Sequence, residues 1–165
     1  TRAMDTLDLV ARAGINVVSL PLCNLYLQDR QQNRTPRMRG VTLVHEMKAR
    51  GVNVSFASDN TRDPFYAYGD LDMIEVLRQA TRIGHIDHSD ADWFTSVSHN
   101  PRKAMSLTPF SLAPGAPADF VICNARDWTE LFARPQSDRI VLRNGSKIDT
   151  TLPNYSDLDH LMEPA

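Results

Sequence analysis

Apolar residues recur along the first part of the chain in two alternating rhythms. Met4, Leu7, Val10 and Ala11 fall at helical spacing, and Gly14 is a suitable helix stop. The run INVVSLPLC, 15–23, is continuous, apolar and rich in Val and Ile, which predicts a buried strand. A polar, basic stretch over 24–40 contains Pro36 and Gly40 and reads as a long loop. VTLVHEMKAR, 41–50, predicts a helix ended by Gly51, and VNVSFASD, 52–59, a second strand of the buried kind. Leu71, Ile74, Leu77 and Arg78 predict a helix over 69–84. Another helix is expected near Ser89, with Asp90 and Asp92 in its first turn, where acidic side chains suit the helix dipole. NPRKAMSL, 100–107, predicts a short helix with Pro101 at its first position.

Helix, strand, loop, helix and strand thus alternate, each early helix stopping at a glycine. That is the rhythm of parallel βα units in a barrel or a doubly wound sheet. The pattern changes at Pro109, Pro114, Gly115 and Pro117, which divides the chain into 1–108 and 109–165. ADFVICN predicts a strand, and Asn144-Gly145 within DRIVLRNGSKID predicts a hairpin. After Ser156 the pattern supports a weak helix at most. Only two strands of the buried parallel kind are present, whereas a closed (β/α) barrel needs eight and roughly 250 residues. The pattern describes the last part of an α/β protein with a small β appendage. The opening TRAMDTLDLVARAG, which starts without Met and is already helical, adds to the expectation of a piece of a longer protein.

Composition narrows the classes. The chain has 165 residues, 42% hydrophobic and 23% charged, with 18 Lys and Arg against 20 Asp and Glu. The near-neutral balance gives no electrostatic case for nucleic acid or an anionic membrane. No apolar run approaches the roughly 18 residues a membrane span needs. Cys23 and Cys123 both lie in apolar runs and read as buried free thiols, which favours a reducing compartment such as the cytoplasm.

Candidate chemistry gathers at strand ends. Asp59 closes the second strand, where a carboxylate faces either an active-site mouth or the next turn as a cap. Asn60, Thr61 and Asp63 can supply turn hydrogen bonds, which favours the functional alternative. Asn24 ends the first strand, where its amide could bond a substrate or a loop carbonyl. Gln28 and Arg39 sit in the long loop, where Arg30, Arg34, Arg37 and Arg39 are either lid residues or solvated charge. Phe65, Tyr66 and Tyr68 could wall a pocket for a flat ring or pack the loop on its own scaffold. His45 is expected mid-helix and solvated. HIDHSDAD has metal-ligand residue types, but His85, Asp90 and Asp92 fit helix ends as well. No His-x-His pair, nucleophile elbow, phosphate loop or Cys-x-x-Cys is present.

These segments resemble the C-terminal part of the metal-dependent amidohydrolase superfamily, in its cytosine deaminase-like branch. GINVVSLPLCNLYLQDR is similar to that branch's seventh barrel strand and following loop. RTPRMRGVTLVHEMKARGVNVSFASDNTRDPFYAYGDLDM is similar to its seventh helix, its eighth strand with a metal-binding Asp, and the next loop. LAPGAPADFVICNA and RIVLRNGSKI are similar to strands returning to a small β-sandwich. The implied fold is the end of a (β/α)8 TIM-like barrel followed by sandwich strands. The implied activity is hydrolytic deamination of a small nitrogen heterocycle with one divalent metal ion, zinc or iron. In that comparison Asp59 is metal ligand and proton acceptor, and Asn60 and Phe65 lie beside the substrate. Cytosine deaminases carry Asp and Trp at those two positions, so the ring differs or is read differently. Ser58-Asp59-Asn60 also resembles triazine-ring amidohydrolases of the isopropylammelide type. The family's His-x-His pair and its other ligands have no counterpart here and are expected upstream. The 165 residues alone are therefore expected to be inactive, with the N-terminal part of the barrel as partner. A non-catalytic barrel remnant or an unrelated α/β binding domain are the competing classes, and homo-oligomerisation stays open.

Overall fold

A computed structural model describes residues 2–88 and 92–162, and for His88 the backbone alone. The chain divides into two compact units, the boundary falling between Phe110 and Ser111.

The first unit opens with helix α1, Arg2–Arg12, which turns Leu7 fully inward and Met4, Val10 and Ala11 partly so. Gly14 takes a left-handed φ of 64° and ends it, a conformation glycine adopts without a Cβ penalty. Strands β1, Asn16–Ser19, and β2, Asn53–Phe56, pair in parallel with Asn16 opposite Asn53 and Ser19 opposite Phe56. Between them run helices α2, Pro21–Leu27, and α3, Val44–Ala49.

Several expectations change here. β1 stops at Ser19, and PLCNLYL is helical rather than the end of a strand and the start of a loop. The cause is Pro21, which lacks an N–H for a ladder and whose fixed φ suits the first helical position. The helix expected over 41–50 forms only from Val44. His45 is not free in solvent: its Nε2 lies 2.8 Å from the Gly84 carbonyl, and its ring meets Trp93 edge-on at 5.1 Å. Trp93 also packs on Phe56 and carries the Lys48 ammonium 4.5 Å from its ring centroid.

Helix α4, Met73–Gly84, begins one turn later than expected, because the Asp72 carboxylate caps it by accepting from Ile74 and Glu75 N–H. Its buried stripe is Val76, Leu77, Ala80 and Thr81, and Leu71, outside the helix, is 75% exposed. Of the helix expected near Ser89, Ser89 and Asp90 lie outside the described residues. Asp92 precedes a 3₁₀ turn over Phe94–Val97. Helix α5, His99–Ala104, starts two residues before Pro101, which still falls in the first turn. Asn100 at its start donates to the Val54 carbonyl at 2.6 Å.

The second unit is a single antiparallel sheet in the order β3-β4-β5: Phe120–Ile122, Ile140–Arg143 and Ser146–Lys147. Asn144 and Gly145 both have positive φ, 48° and 77°, the signature of the tight turn that Asn-Gly predicts. Helix α6, Trp128–Ala133, is an addition to the expected elements. Its signal is Asp127 with Glu130 three residues on, and the Asp127 carboxylate accepts the Glu130 N–H. A 3₁₀ turn, Tyr155–Leu158, leads into α7, Asp159–Met162. Cys123 is half-buried rather than buried, and no disulfide joins the cysteines. No helix among the described residues is long and apolar enough to cross a membrane.

Candidate active site

β2 carries three consecutive buried residues, Val54, Ser55 and Phe56, which fix the direction in which the chain leaves the strand. Ala57 N–H still donates to the Ser19 carbonyl at 3.1 Å, so the pairing extends one step beyond the strand. Ser58 is buried. Asp59 then turns left-handed, with φ 65°, and its side chain is exposed at the C-terminal end of the parallel pair. Aspartate tolerates this region better than most residues, yet the conformation still costs about 1 kcal/mol.

The capping positions around Asp59 are filled by other carboxylates. Asp63 accepts Phe65 and Tyr66 N–H, each at 2.9 Å. Asp70 accepts Leu71 N–H, and Asp72 caps α4. The Tyr66 N–H, then the Asn60 amide, hold the Asp63 carboxyl below the usual carboxylate range. The turn chemistry thus leaves Asp59 unused as a cap.

Beside Asp59 lies Cys23, one turn into α2 and 0% exposed. Burial pushes the Cys23 thiol up, and its hydrogen bond to the Asp59 carboxylate, with that group's charge, pushes it further. Cys23 Sγ donates to Asn60 Oδ1 at 3.4 Å, and Asn60 Nδ2 donates to Asp63 Oδ2 at 2.6 Å. Gly69 backs the same corner. A Cβ built there would stand 2.1 Å from the Asn60 carbonyl oxygen.

The aromatic loop divides. Tyr66 packs on Tyr26 of α2 at 5.1 Å, and Tyr68 meets Tyr26 edge-on at 5.8 Å. The Arg30 guanidinium lies 4.3 Å from the Tyr26 ring centroid. Phe65 projects outward, 61% exposed. Asn24 does not end a strand. It is an exposed residue of α2, directly after Cys23, and with Ser19, Gln28 and Thr42 it lines a cleft of about 320 Å³ at the end of β1. In the following loop Gln28 Oε1 accepts Gly40 N–H, and Asp29 pairs with Arg34 while accepting Arg37 and Met38 N–H. Arg34 is thereby a structural partner of the loop.

The structure therefore brings Asp59 and Asn60 together with Cys23 and Asp63, two residues that sequence patterns do not mark as part of a site. Cys23 meets a partner 37 positions away, and no local spacing signals such a contact. Among the described residues no group of three or more His, Cys, Asp and Glu could hold a metal ion. Asp59 fits one ligand position, as an exposed hard oxygen donor, whereas a catalytic zinc takes about three protein ligands.

A model of the amidohydrolase family matches residues 4–148. The chain belongs to the amidohydrolase family. This amidohydrolase chain is 55% identical over 158 residues to a pterin deaminase of Rhizobium rhizogenes, covering 95% of the chain and 36% of that protein. Among solved structures it is similar to 5-methylcytosine deaminase from Klebsiella pneumoniae liganded with 5-fluorocytosine. The TM-score is 0.75 and the identity 29%, covering 93% of this chain and 38% of that one. It is also similar to N-isopropylammelide isopropylaminohydrolase from Burkholderia multivorans, with TM-score 0.62 and identity 26%, covering 87% and 34%. The amidohydrolase chain thus spans little more than a third of the length of the relatives it matches.

Proposed function

We propose that the whole protein hydrolyses the bond between a nitrogen heterocycle and its exocyclic amine, releasing ammonia, and that these residues form the C-terminal end of its barrel. Water adds at the ring carbon, the carbon–nitrogen bond breaks, and a ring carbonyl remains. The observation that carries this reading is Asp59: an exposed carboxylate at the C-terminal end of a parallel strand, in a left-handed turn whose capping is done by others. Active sites of α/β barrels form at that end.

In this reading Asp59 supplies one oxygen ligand to a divalent metal, zinc or iron, whose remaining ligands come from polypeptide outside these residues. Such a metal lowers the pKa of water at the site toward neutrality. The Asp59 carboxylate accepts the proton that water loses and passes it to the departing amine, which leaves as ammonia. Asn60, Phe65 and Asn24 lie along the ring. The 55% identity to a pterin deaminase makes pterin the first ring to test, ahead of cytosine and of triazines.

The test uses the full-length protein with a substrate panel of pterin and 5-methylcytosine, read by ammonia release, and N-isopropylammelide, read by isopropylamine release. Asp59→Ala should lower kcat at least about 10³-fold, given the 10²–10⁴-fold typical of general acid–base groups plus a lost ligand, with the fold kept. Turnover retained in that variant would remove Asp59 from the chemistry.

A further inference from the structure

The Asn60 amide ties its own loop, over residues 60–66, to α2, 37 positions away. Its oxygen accepts from Cys23 Sγ on α2 at 3.4 Å. Its nitrogen donates to Asp63 Oδ2 at 2.6 Å, and Asp63 Oδ1 accepts the N–H groups of Phe65 and Tyr66. An ionised carboxylate only accepts, whereas a thiol can donate, and the one S–H proton of Cys23 is shared between Asn60 Oδ1 and the Asp59 carboxylate. One orientation of the amide therefore satisfies both neighbours: oxygen toward sulfur, nitrogen toward carboxylate. The flipped amide would set two acceptors against each other. These two bonds use one lone pair of Oδ1 and one hydrogen of Nδ2. Among the described residues the other lone pair and the other hydrogen have no partner, and their sense is fixed.

We propose that Cys23 and Asp63 are positioning residues that lock the Asn60 amide in one sense. They thereby set which donor and acceptor the Asp59–Asn60 corner offers to a bound ring, while neither touches it. The proposal rests on the reading of that corner as the substrate side. It adds a specificity device: a ring is accepted when its own acceptor meets the free N–H of Asn60 and its donor meets the free lone pair. Tyr26, packed against Tyr66 and Tyr68, holds the same loop against α2 and keeps Cys23 in reach.

Asp63→Asn is the decisive variant. Its amide can still accept from Phe65 and Tyr66 N–H, but its NH₂ then faces Asn60 and favours the flipped amide. Cys23→Ala removes the donor on the other side, and Cys23→Ser restores one. In the full-length protein with pterin as probe, Asp63→Asn and Cys23→Ala should lower kcat/KM about five- to tenfold, the effect of one lost or reversed hydrogen bond. The loss should fall mainly on kcat, with metal content and circular dichroism unchanged, and Cys23→Ser should stay within about twofold. A purely structural role would lower the melting temperature and leave kcat unmoved.

A second readout needs no substrate. Alkylation by iodoacetamide, followed by mass spectrometry at Cys23 with Cys123 as internal reference, reports whether the corner shields the thiol. Asp63→Asn should speed labelling of Cys23 about tenfold, since loosening the loop exposes a thiol that is now fully buried. Unchanged labelling overturns the lock. Faster labelling with unchanged kcat/KM overturns the positioning role. An active Asp59→Ala variant would instead defeat the functional reading, and the labelling result would still report on the lock.

Discussion

Gly69→Ala is the smallest change that should move Asp59 without touching it. A Cβ at this position would lie 2.1 Å from the Asn60 carbonyl oxygen, 2.8 Å from Tyr66 Cδ1 and 3.0 Å from Thr61 Cα. Real Cβ atoms essentially never approach closer than 3.0 Å, so the Asn60 carbonyl must retreat by at least about 0.9 Å. That carbonyl is backbone, one residue from the left-handed Asp59, and the Asn60 amide is held by Cys23 and Asp63. The strain cannot be absorbed at a flexible side-chain tip. Overpacking of this kind costs about 1–3 kcal/mol, and although Gly69 is buried, its neighbours Tyr68 and Asp70 are exposed and can shift, which places the cost toward the lower end. Misplacing a reacting group by about 1 Å can cost about 10²-fold in rate. The assay pairs urea denaturation of the full-length protein with kcat/KM for ammonia release from pterin. The expected result is a loss of about 1–2 kcal/mol in stability and about 10²-fold in kcat/KM. Wild-type values of both would show that the 60–69 loop is not packed as described.

Two further outcomes are expected from other parts of the first unit. Gly84→Ala should stabilise by about 0.5–1 kcal/mol, because Gly84 is helical and an added Cβ meets only Ile86 at 3.5 Å and Val44 at 3.9 Å; an unchanged or lowered urea midpoint would contradict this. The loop after α2 should loosen in acid. Asp29 is held below its ordinary value by the N–H groups of Arg37 and then Met38, so its contribution is present above the unfolded carboxylate pKa of about 3.9 and lost as pH falls through the lower folded value. Protection factors of the Arg37 and Met38 amides should therefore collapse well below about pH 3.9, and Asp29→Ala, which removes the acceptor, should abolish them at neutral pH. Equal protection at both pH values would refute the assignment.

Backbone rhythm was the legible part of the fold. The α1 face, the parallel pair, the Asn144-Gly145 turn and the late start of antiparallel structure are all set by local period, glycine and β-branching. The departures have local causes too. Pro21 begins a helix inside an apolar run, and Asp127 with Glu130 announces α6. The exposed position of Asp59 at the end of the second strand was legible, because the apolar run VNVSFASD ends on it. Asn24 moves from a strand end to a helix, because the strand before it stops at Ser19. The contacts of Cys23 and Asp63 with Asn60 were not legible, because both depend on one amide between them, and the contact from α2 to the Asn60 loop spans 37 positions. His45 shows the same limit: its partner, the Gly84 carbonyl, is a backbone atom far along the chain.

The two sheets also differ in when they can form. Closing β1 on β2 requires residues 37 apart in sequence, Asn16 and Asn53, to meet before any ladder bond is gained. Closing β4 on β5 requires only a two-residue turn that Asn144 and Gly145 already favour. A hairpin of that kind forms in about 1–10 μs, whereas non-local pairing of parallel strands is intrinsically slower. The corner bearing Asp59 is built on the slower pair, so it takes shape only after the long crossover through α2 and α3 has closed.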